Sequence, residues 1–157
     1  MIQSKTKRAP ALVSASEEAR VARTVLQWLN EYSTLPVDAI RYELLDEGVT
    51  GISMHIEQGA YKTRQFIDGG YRAQLSFSLW YRVQPADSGD ARLKADETLN
   101  ALADWVCSRC NLPNLGDGCT AVRLETQRRA AIRNAWDNGD EDHAIQIKLT
   151  YEVLKPN

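Results

Sequence analysis

The hydrophobic positions of the first third of the chain recur with a helical period. One predicted helical face is made of Val21, Val25, Trp28, Leu29 and Tyr32. Apolar side chains spaced in this way form the buried stripe of an amphipathic helix. Ser14 stands three residues before Glu17, the spacing of a capping box, and Ser16 is an alternative N-cap. The pair Leu35-Pro36 predicts the end of the helical segment, because a residue before proline avoids helical backbone angles.

The period then changes to two, which predicts strands with one apolar and one polar face. The alternation covers residues 40–44, 52–56, 71–83, 122–126 and 145–153. A second helical pattern occupies residues 91–107, and residues 130–135 fit either a strand or an irregular segment. The predicted order is α-β-β-β-α-β-β. We therefore expect an α/β (α+β) fold with an antiparallel or mixed sheet and two helices packed on one face.

The longest alternating segment raises a question of size. Residues 71–83 follow the turn signal Asp68-Gly69 and extend roughly 40 Å as a strand. A domain of this length has a diameter near ~40 Å, so the strand either spans the molecule or projects from it. If Asp68 and Gly69 form the loop, Met54 faces Val83, while Lys62 near the tip faces an apolar residue. We predict a long protruding β-hairpin, with a register that a bulge at Gly59 would shift.

The domain organisation follows from length and composition. A chain of 157 residues is one domain by its size. Residues 1–15 are polar and basic at their start and predict a flexible N-terminal arm, and residues 16–157 predict a single α+β domain. No signal peptide or membrane-spanning run is recognisable, and three cysteines in such a chain favour reduced thiols.

Charge and chemistry narrow the function classes. Lys and Arg number 19 against 21 Asp and Glu, which gives a net charge of −2 and no overall footprint for nucleic acid. Cys107, Cys110 and Cys119 with His143 could supply a zinc site, but helix-end packing explains these thiols better. His55 with Glu57 fits a solvated strand face better than an acid–base pair. We therefore predict no enzyme activity, no cofactor and no metal.

Two sets of residues are candidates for contacts with other molecules. The predicted hairpin tip combines basic and aromatic side chains, which suit a protein–protein arm or, as an alternative, an architectural DNA-binding module. The tip residues are Lys62, Arg64, Phe66, Tyr71 and Arg72. A basic stretch, Arg123 to Arg133, precedes an acidic one, and such patches could meet across neighbouring subunits of a ring. The residues of the basic patch are Arg123, Arg128 and Arg129, and those of the acidic patch are Asp140, Glu141 and Asp142.

Four segments resemble a family of tailed-phage proteins, the minor capsid or tail-terminator (tail-completion) proteins of siphophages and prophages. They are TVLQWLN at 24–30, GISMHIEQGAY at 51–61, FIDGGY at 66–71 and KLTYEV at 148–153. The resemblance runs from about Val21 to Val153 and rests on the order and spacing of these segments. The Cys107-x-x-Cys110 pair and the arginines of residues 128–132 are not features of the family.

The resemblance implies a structural virion protein rather than an enzyme. Such a protein forms a ring, usually a hexamer, at the end of the tail tube, where it stops tube growth and offers the head–tail joining surface. The implied partners are further copies of the chain, the tail-tube protein and a head-completion or connector protein, with no membrane and no specific nucleic acid. The implied location is the virion, after assembly in the cytoplasm of the host bacterium.

Overall fold

A computed structural model describes residues 11–43, 45, 49–84, 89–108 and 112–154. The described residues form two helices and five strands. They are α1 (Ala15–Leu29), β1 (Ile40–Tyr42), β2 (Gly51–Gln65), β3 (Tyr71–Val83), α2 (Gly89–Ser108), β4 (Cys119–Ala135) and β5 (Glu141–Val153). The predicted α+β class and the predicted element order are confirmed.

Helix α1 begins and ends as side-chain capping dictates. The Ser14 hydroxyl accepts a hydrogen bond from the Glu17 backbone N–H at 3.2 Å, so Ser14 rather than Ser16 is the N-cap. Asn30 follows the last turn and also holds the next element: its side chain accepts from the Ile40 N–H at 2.7 Å and donates to the Ile40 carbonyl. The end of α1 is thereby tied to β1.

The sheet is mixed, with the strand order β1-β2-β3-β5-β4. Strand β1 runs parallel to β2, and the other three pairs are antiparallel. The predicted turn at Asp46-Glu47-Gly48 lies outside the described residues. Strands β3 and β5 occupy the middle of the sheet.

Both helices pack on the same face of this sheet and share one hydrophobic core with it. Phe77 and Leu79 of β3 and Ile147 of β5 are fully buried there. The rings of Trp28 on α1 and Trp105 on α2 stack with centroids 5.4 Å apart, which joins the helices to each other. Burial of each such large side chain contributes about 1.5–3 kcal/mol, so this face accounts for most of the stability.

The predicted protruding hairpin is corrected by the position of β3. Every residue of β3, from Tyr71 opposite Val153 to Val83 opposite Glu141, pairs with β5. Strand β3 also pairs with β2 along its other side. The long strand therefore spans the sheet at its centre, and the free part of the hairpin is the turn between β2 and β3.

The predicted register of this hairpin was wrong, because the pairing of β2 with β3 is shifted at several points along β2. Met54 pairs with Leu79 and Lys62 with Ala73, not with Val83 and Leu75. Three register shifts lie along β2, one of them between Gln58 and Tyr61 and so across Gly59, as the sequence indicated. Each shift moves the pairing by about one residue, which is how a β-bulge changes side-chain facing.

Strand β4 is longer and less regular than its sequence predicted. It runs for 17 residues, and its pairing with β5 contains four register shifts. These irregularities break the two-residue alternation, which explains why residues 130–135 were ambiguous. Residues 130–135 belong to the same strand as residues 122–126.

The first described residues pair with the sheet. The Val13 N–H donates to Ala60 at 2.9 Å, and the Lys62 N–H donates to Ala11 at 2.8 Å. Val13 is buried in the core. Of the predicted flexible arm, residues 11–14 are thus held against β2, helix α1 begins at Ala15, and residues 1–10 lie outside the described residues.

Candidate functional site

The hairpin residues predicted to form an interface divide into structural and outward-facing members. The Tyr71 hydroxyl donates to Glu17 of α1, and its ring lies 4.4 Å from the Lys62 ammonium. Arg72 pairs with Glu152 of β5 at 3.0 Å. These contacts serve the fold, whereas Arg64 points outward, with its guanidinium 5.8 Å from the Phe66 ring.

The turn itself presents a residue that the sequence analysis did not single out. Ile67 has a relative exposure of 109%, the highest among the large apolar side chains of the described residues. The turn is well ordered by hydrogen bonds: Phe66 N–H donates to the Gly70 carbonyl at 2.8 Å, and the Asp68 carboxylate accepts from the Gly70 N–H at 2.9 Å. Gly69, at φ 95°, supplies the left-handed conformation that closes it.

The acidic residues of the predicted charge patches are buried and do not form a surface patch. The relative solvent exposures of Asp140, Glu141 and Asp142 are only 6%, 4% and 4%. Glu141 pairs with Arg92 at 2.8 Å, and Asp142 pairs with Arg82 at 2.9 Å. Burial of these carboxylates requires such partners, since an unpaired buried charge is very costly. The prediction of an exposed acidic patch is therefore corrected.

The basic half of those patches is exposed along β4. Arg123 pairs with Glu125 on its own strand at 2.6 Å. Arg128, Arg129 and Arg133 are also exposed, and no carboxylate of the described part of the chain forms an ion pair with them. This leaves a strip of positive charge on the outermost strand, which we call the β4 arginine strip (Arg128, Arg129 and Arg133).

The face of the sheet opposite the helices forms a polar trough. A pocket of about 490 Å³ on this face, at the end of the sheet where β3 ends and β5 begins, is lined by His55, Trp80, Arg82 and Trp136, among others. The Arg82 guanidinium lies 4.8 Å from the Trp136 ring, and the Trp136 indole N–H donates to Asp142 at 2.8 Å. The trough is thus lined by aromatic rings that their neighbours hold in place.

Serine side chains organise the floor of this trough. The Trp80 indole N–H donates to Ser78 at 2.7 Å, and the Ser78 hydroxyl donates to Glu57. His55 shares a hydrogen bond with Ser53 at 2.8 Å and lies edge-on to Trp80. His55 and Glu57 therefore bond to separate serines, which agrees with the polar strand face predicted for them.

A partly buried cluster joins α1 to the two central strands. The Glu17 carboxylate accepts from Tyr71 and, at 2.8 Å, from Tyr151. Burial, followed by the hydrogen bond to Glu17, raises the pKa of both tyrosine hydroxyls well above the usual range. Burial likewise raises the pKa of the adjacent Cys119 thiol, so that the thiol is held protonated.

A second buried cluster surrounds His143 on β5. Its Nδ1 lies 2.7 Å from an Asp96 oxygen on α2, and its Nε2 lies 3.4 Å from Glu141. The hydrogen bond from Arg92 lowers the pKa of the Glu141 carboxyl, against the raising effect of its burial. This network fixes the first half of α2 to the sheet.

The residues of the possible zinc site are not brought together. Cys107 contacts the Thr126 hydroxyl, whereas Cys119 lies seven residues away on β4, at roughly 23 Å for an extended strand. His143 is engaged by Asp96 and Glu141, and Cys110 lies outside the described residues. No group of three or more metal-ligating side chains occurs among the residues that the structure describes.

Comparison with known proteins does not identify a relative. No protein-family model matches the chain. No curated protein matches it either. Within the described ranges, neither helix has the length and apolar character needed to cross a membrane.

Proposed function

We propose that this chain is a structural virion protein that assembles as a ring at the end of a phage tail tube. The ring, a hexamer by the resemblance, terminates tail growth and forms the head–tail joining surface. Its partners are other copies of the chain, the tail-tube protein and a head-completion or connector protein. Its location is the virion, after assembly in the host bacterial cytoplasm.

The observation that carries this proposal is the open outer edge of β4. No strand of the described residues pairs with that edge, and only Ala130 has its N–H satisfied from outside the sheet, by Asn100 of α2 at 2.9 Å. A long edge strand with free main-chain groups is a template for pairing with another chain. The β4 arginine strip places positive charge at this edge. The charge favours pairing with an acidic partner over non-specific pairing with the edges of other sheets.

The fold and the hairpin turn support the same reading. The resemblance implies an α/β domain, and the chain has two helices on one face of a mixed five-stranded sheet. On the ordered β2–β3 turn, Ile67 presents a fully exposed apolar side chain beside the half-buried Phe66 ring. Two different contact surfaces on one subunit are what a head-to-tail ring requires.

The mass and shape of the purified full-length chain test the proposal. Size-exclusion chromatography with light scattering should give a species near six times 17.6 kDa, seen by negative-stain microscopy as a ring with a central hole. Tail tubes polymerised from the tube protein of the same genome should acquire such rings at their ends and stop growing. A chain that stays monomeric at every concentration and leaves tube growth unchanged would exclude the terminator function.

The β4 arginine strip favours one alternative, an architectural DNA-binding module. Three unpaired guanidinium groups on an exposed strand suit phosphate contacts, and Trp136 lies close by with 45% of its surface exposed. The hairpin tip offers Arg64 for the same purpose. Binding to duplex DNA that weakens steeply with salt, together with a monomeric mass, would support this function instead.

A further inference from the structure

The exposed isoleucine of the β2–β3 turn is unusual for its position. Ile67 is fully exposed on a turn, where small or polar residues serve the backbone better. The turn is held rigid by its own hydrogen bonds, and the Gln65 side chain adds two more to the carbonyls of Gly69 and Gly70. A contact made by such a preordered turn loses little conformational entropy.

An apolar groove lies on the outer side of α1. A pocket of about 250 Å³ is lined by Ala19, Ala22, Arg23 and Leu26 of α1 and by Tyr42 of β1. The helical residues are spaced three and four apart and form one stripe. The two alanines leave a hollow beside the Tyr42 ring, which is itself 46% exposed.

The turn of one chain cannot fill the groove of the same chain. Tyr42 pairs with Met54 of β2, and Gln65 at the start of the turn is eleven residues further along that strand. At about 3.3 Å per residue this is roughly 36 Å from the Tyr42 side of the groove. The Ala19 side is nearer, because Glu18 accepts from the Ala60 N–H, but the turn still begins five residues, roughly 17 Å, further along β2. Any Ile67 that enters the groove must therefore belong to another molecule.

We propose that the β2–β3 turn of one copy inserts Ile67 into the α1–Tyr42 groove of the next copy. Charge complements shape: Asp68 beside the isoleucine is opposite in sign to Arg23 at the groove, and Arg64 before the turn is opposite in sign to Glu43, which follows Tyr42. None of these four groups has an ion-pair partner among the described residues. Because the turn and the groove are different surfaces, the contact propagates head to tail, as a ring requires. The inference deepens the proposed function and rests on it.

Thiol cross-linking between two single variants tests the contact. The native cysteines are first replaced: Cys107→Ser, Cys110→Ser and Cys119→Ala. In that background, Ile67→Cys mixed with Ala19→Cys and treated with a short bismaleimide should give a covalent dimer, while neither variant should do so alone. Leu93→Cys on α2, also an exposed apolar position, is the matched control in place of Ala19→Cys and should give none. A dimer with the control as abundant as with Ala19→Cys would overturn the proposal.

A charge swap tests the orientation in the unmodified full-length chain. Asp68→Arg and Arg23→Asp should each weaken self-association about tenfold, and the double variant should recover it. Asp104→Arg on the exposed side of α2 is the control and should leave association unchanged.

The outcomes separate this contact from the ring function. Rings that form normally with Asp68→Arg or Ile67→Asp would refute the contact and leave the terminator function standing. A parent chain that stays monomeric and leaves tube growth unchanged, together with no cross-linked dimer from the mixture of Ile67→Cys and Ala19→Cys, would refute both.

Discussion

The Tyr151 hydroxyl on β5 donates a 2.8 Å hydrogen bond to the Glu17 carboxylate on α1. Tyr71 of β3 donates to the same carboxylate, so one half-buried acid joins the first helix to both central strands. The contact links residues separated by most of the chain. It also explains why the side chains at the start of α1 matter for the fold.

Removal of one of these donors should weaken the fold. Tyr151→Phe is expected to lower the free energy of unfolding by about 1–3 kcal/mol, because the half-buried Glu17 carboxylate loses a hydrogen-bond donor. Urea denaturation followed by circular dichroism measures the change. Tyr32→Phe is the control, since the Tyr32 hydroxyl has no hydrogen bond to a described residue, and it should change stability by less than about 0.5 kcal/mol.

The hairpin aromatics should behave differently from each other. Tyr71→Ser removes a ring packed on the core together with its bond to Glu17, and should cost about 2–4 kcal/mol. Phe66→Ser alters the turn and should cost less than about 1 kcal/mol while it reduces assembly. Equal stability losses in chemical denaturation would show that the turn is part of the folding core.

Ion pairs at the two ends of β3, both formed with β5, should differ in strength. Arg82–Asp142 is nearly buried, so Asp142→Ala should destabilise by about 3–5 kcal/mol, because it breaks the ion pair with Arg82 and removes the acceptor of the Trp136 indole N–H. Arg72–Glu152 is one-third exposed, and Glu152→Ala should cost about 1 kcal/mol or less. Thermal unfolding of the two variants compares them directly. A larger loss for Glu152→Ala would contradict the burial argument.

Stability should fall in acid partly through Glu141. Its pKa is lowered in the folded chain by the hydrogen bond from Arg92, so the ionised form stabilises the fold. This contribution is present above the pKa of the unfolded carboxyl and is lost as the pH falls through the lower folded value. Unfolding free energies measured from neutral to acid pH should therefore decline less steeply in Glu141→Gln. Glu97→Gln, on the exposed side of α2, should retain the parent slope.

Charge reversal on the open edge tests the β4 arginine strip. Arg128→Glu with Arg129→Glu should impair assembly with little effect on unfolding, because both side chains are exposed. Arg123→Glu is the comparison, since Arg123 already pairs with Glu125. Light scattering of the variants at equal concentration gives the readout. Unchanged assembly of the double variant would show that the strip is only a solvated surface.

Local patterns explain the parts of the fold that the sequence predicted. The helical stripe of α1, the Ser14 cap and the alternation in β3 and β5 each depend on neighbours within a few residues. The sequence indicated only one of the bulges of β2 and β4. Gly59 marks that bulge in β2, whereas no glycine marks the register shifts in β4. Ile67 could have been found from its place beside Asp68-Gly69 in a strong turn signal.

The sequence by itself determined the element order, the α+β class and the polarity of the faces of β3 and β5, since these follow from the spacing of apolar residues. Only the tertiary structure decided that β3 lies between β2 and β5, because pairing partners distant in the chain leave no local period. The same long-range packing turned Asp140, Glu141 and Asp142 from a predicted surface into buried groups. It also left β4 at the edge, where the arginines stay exposed.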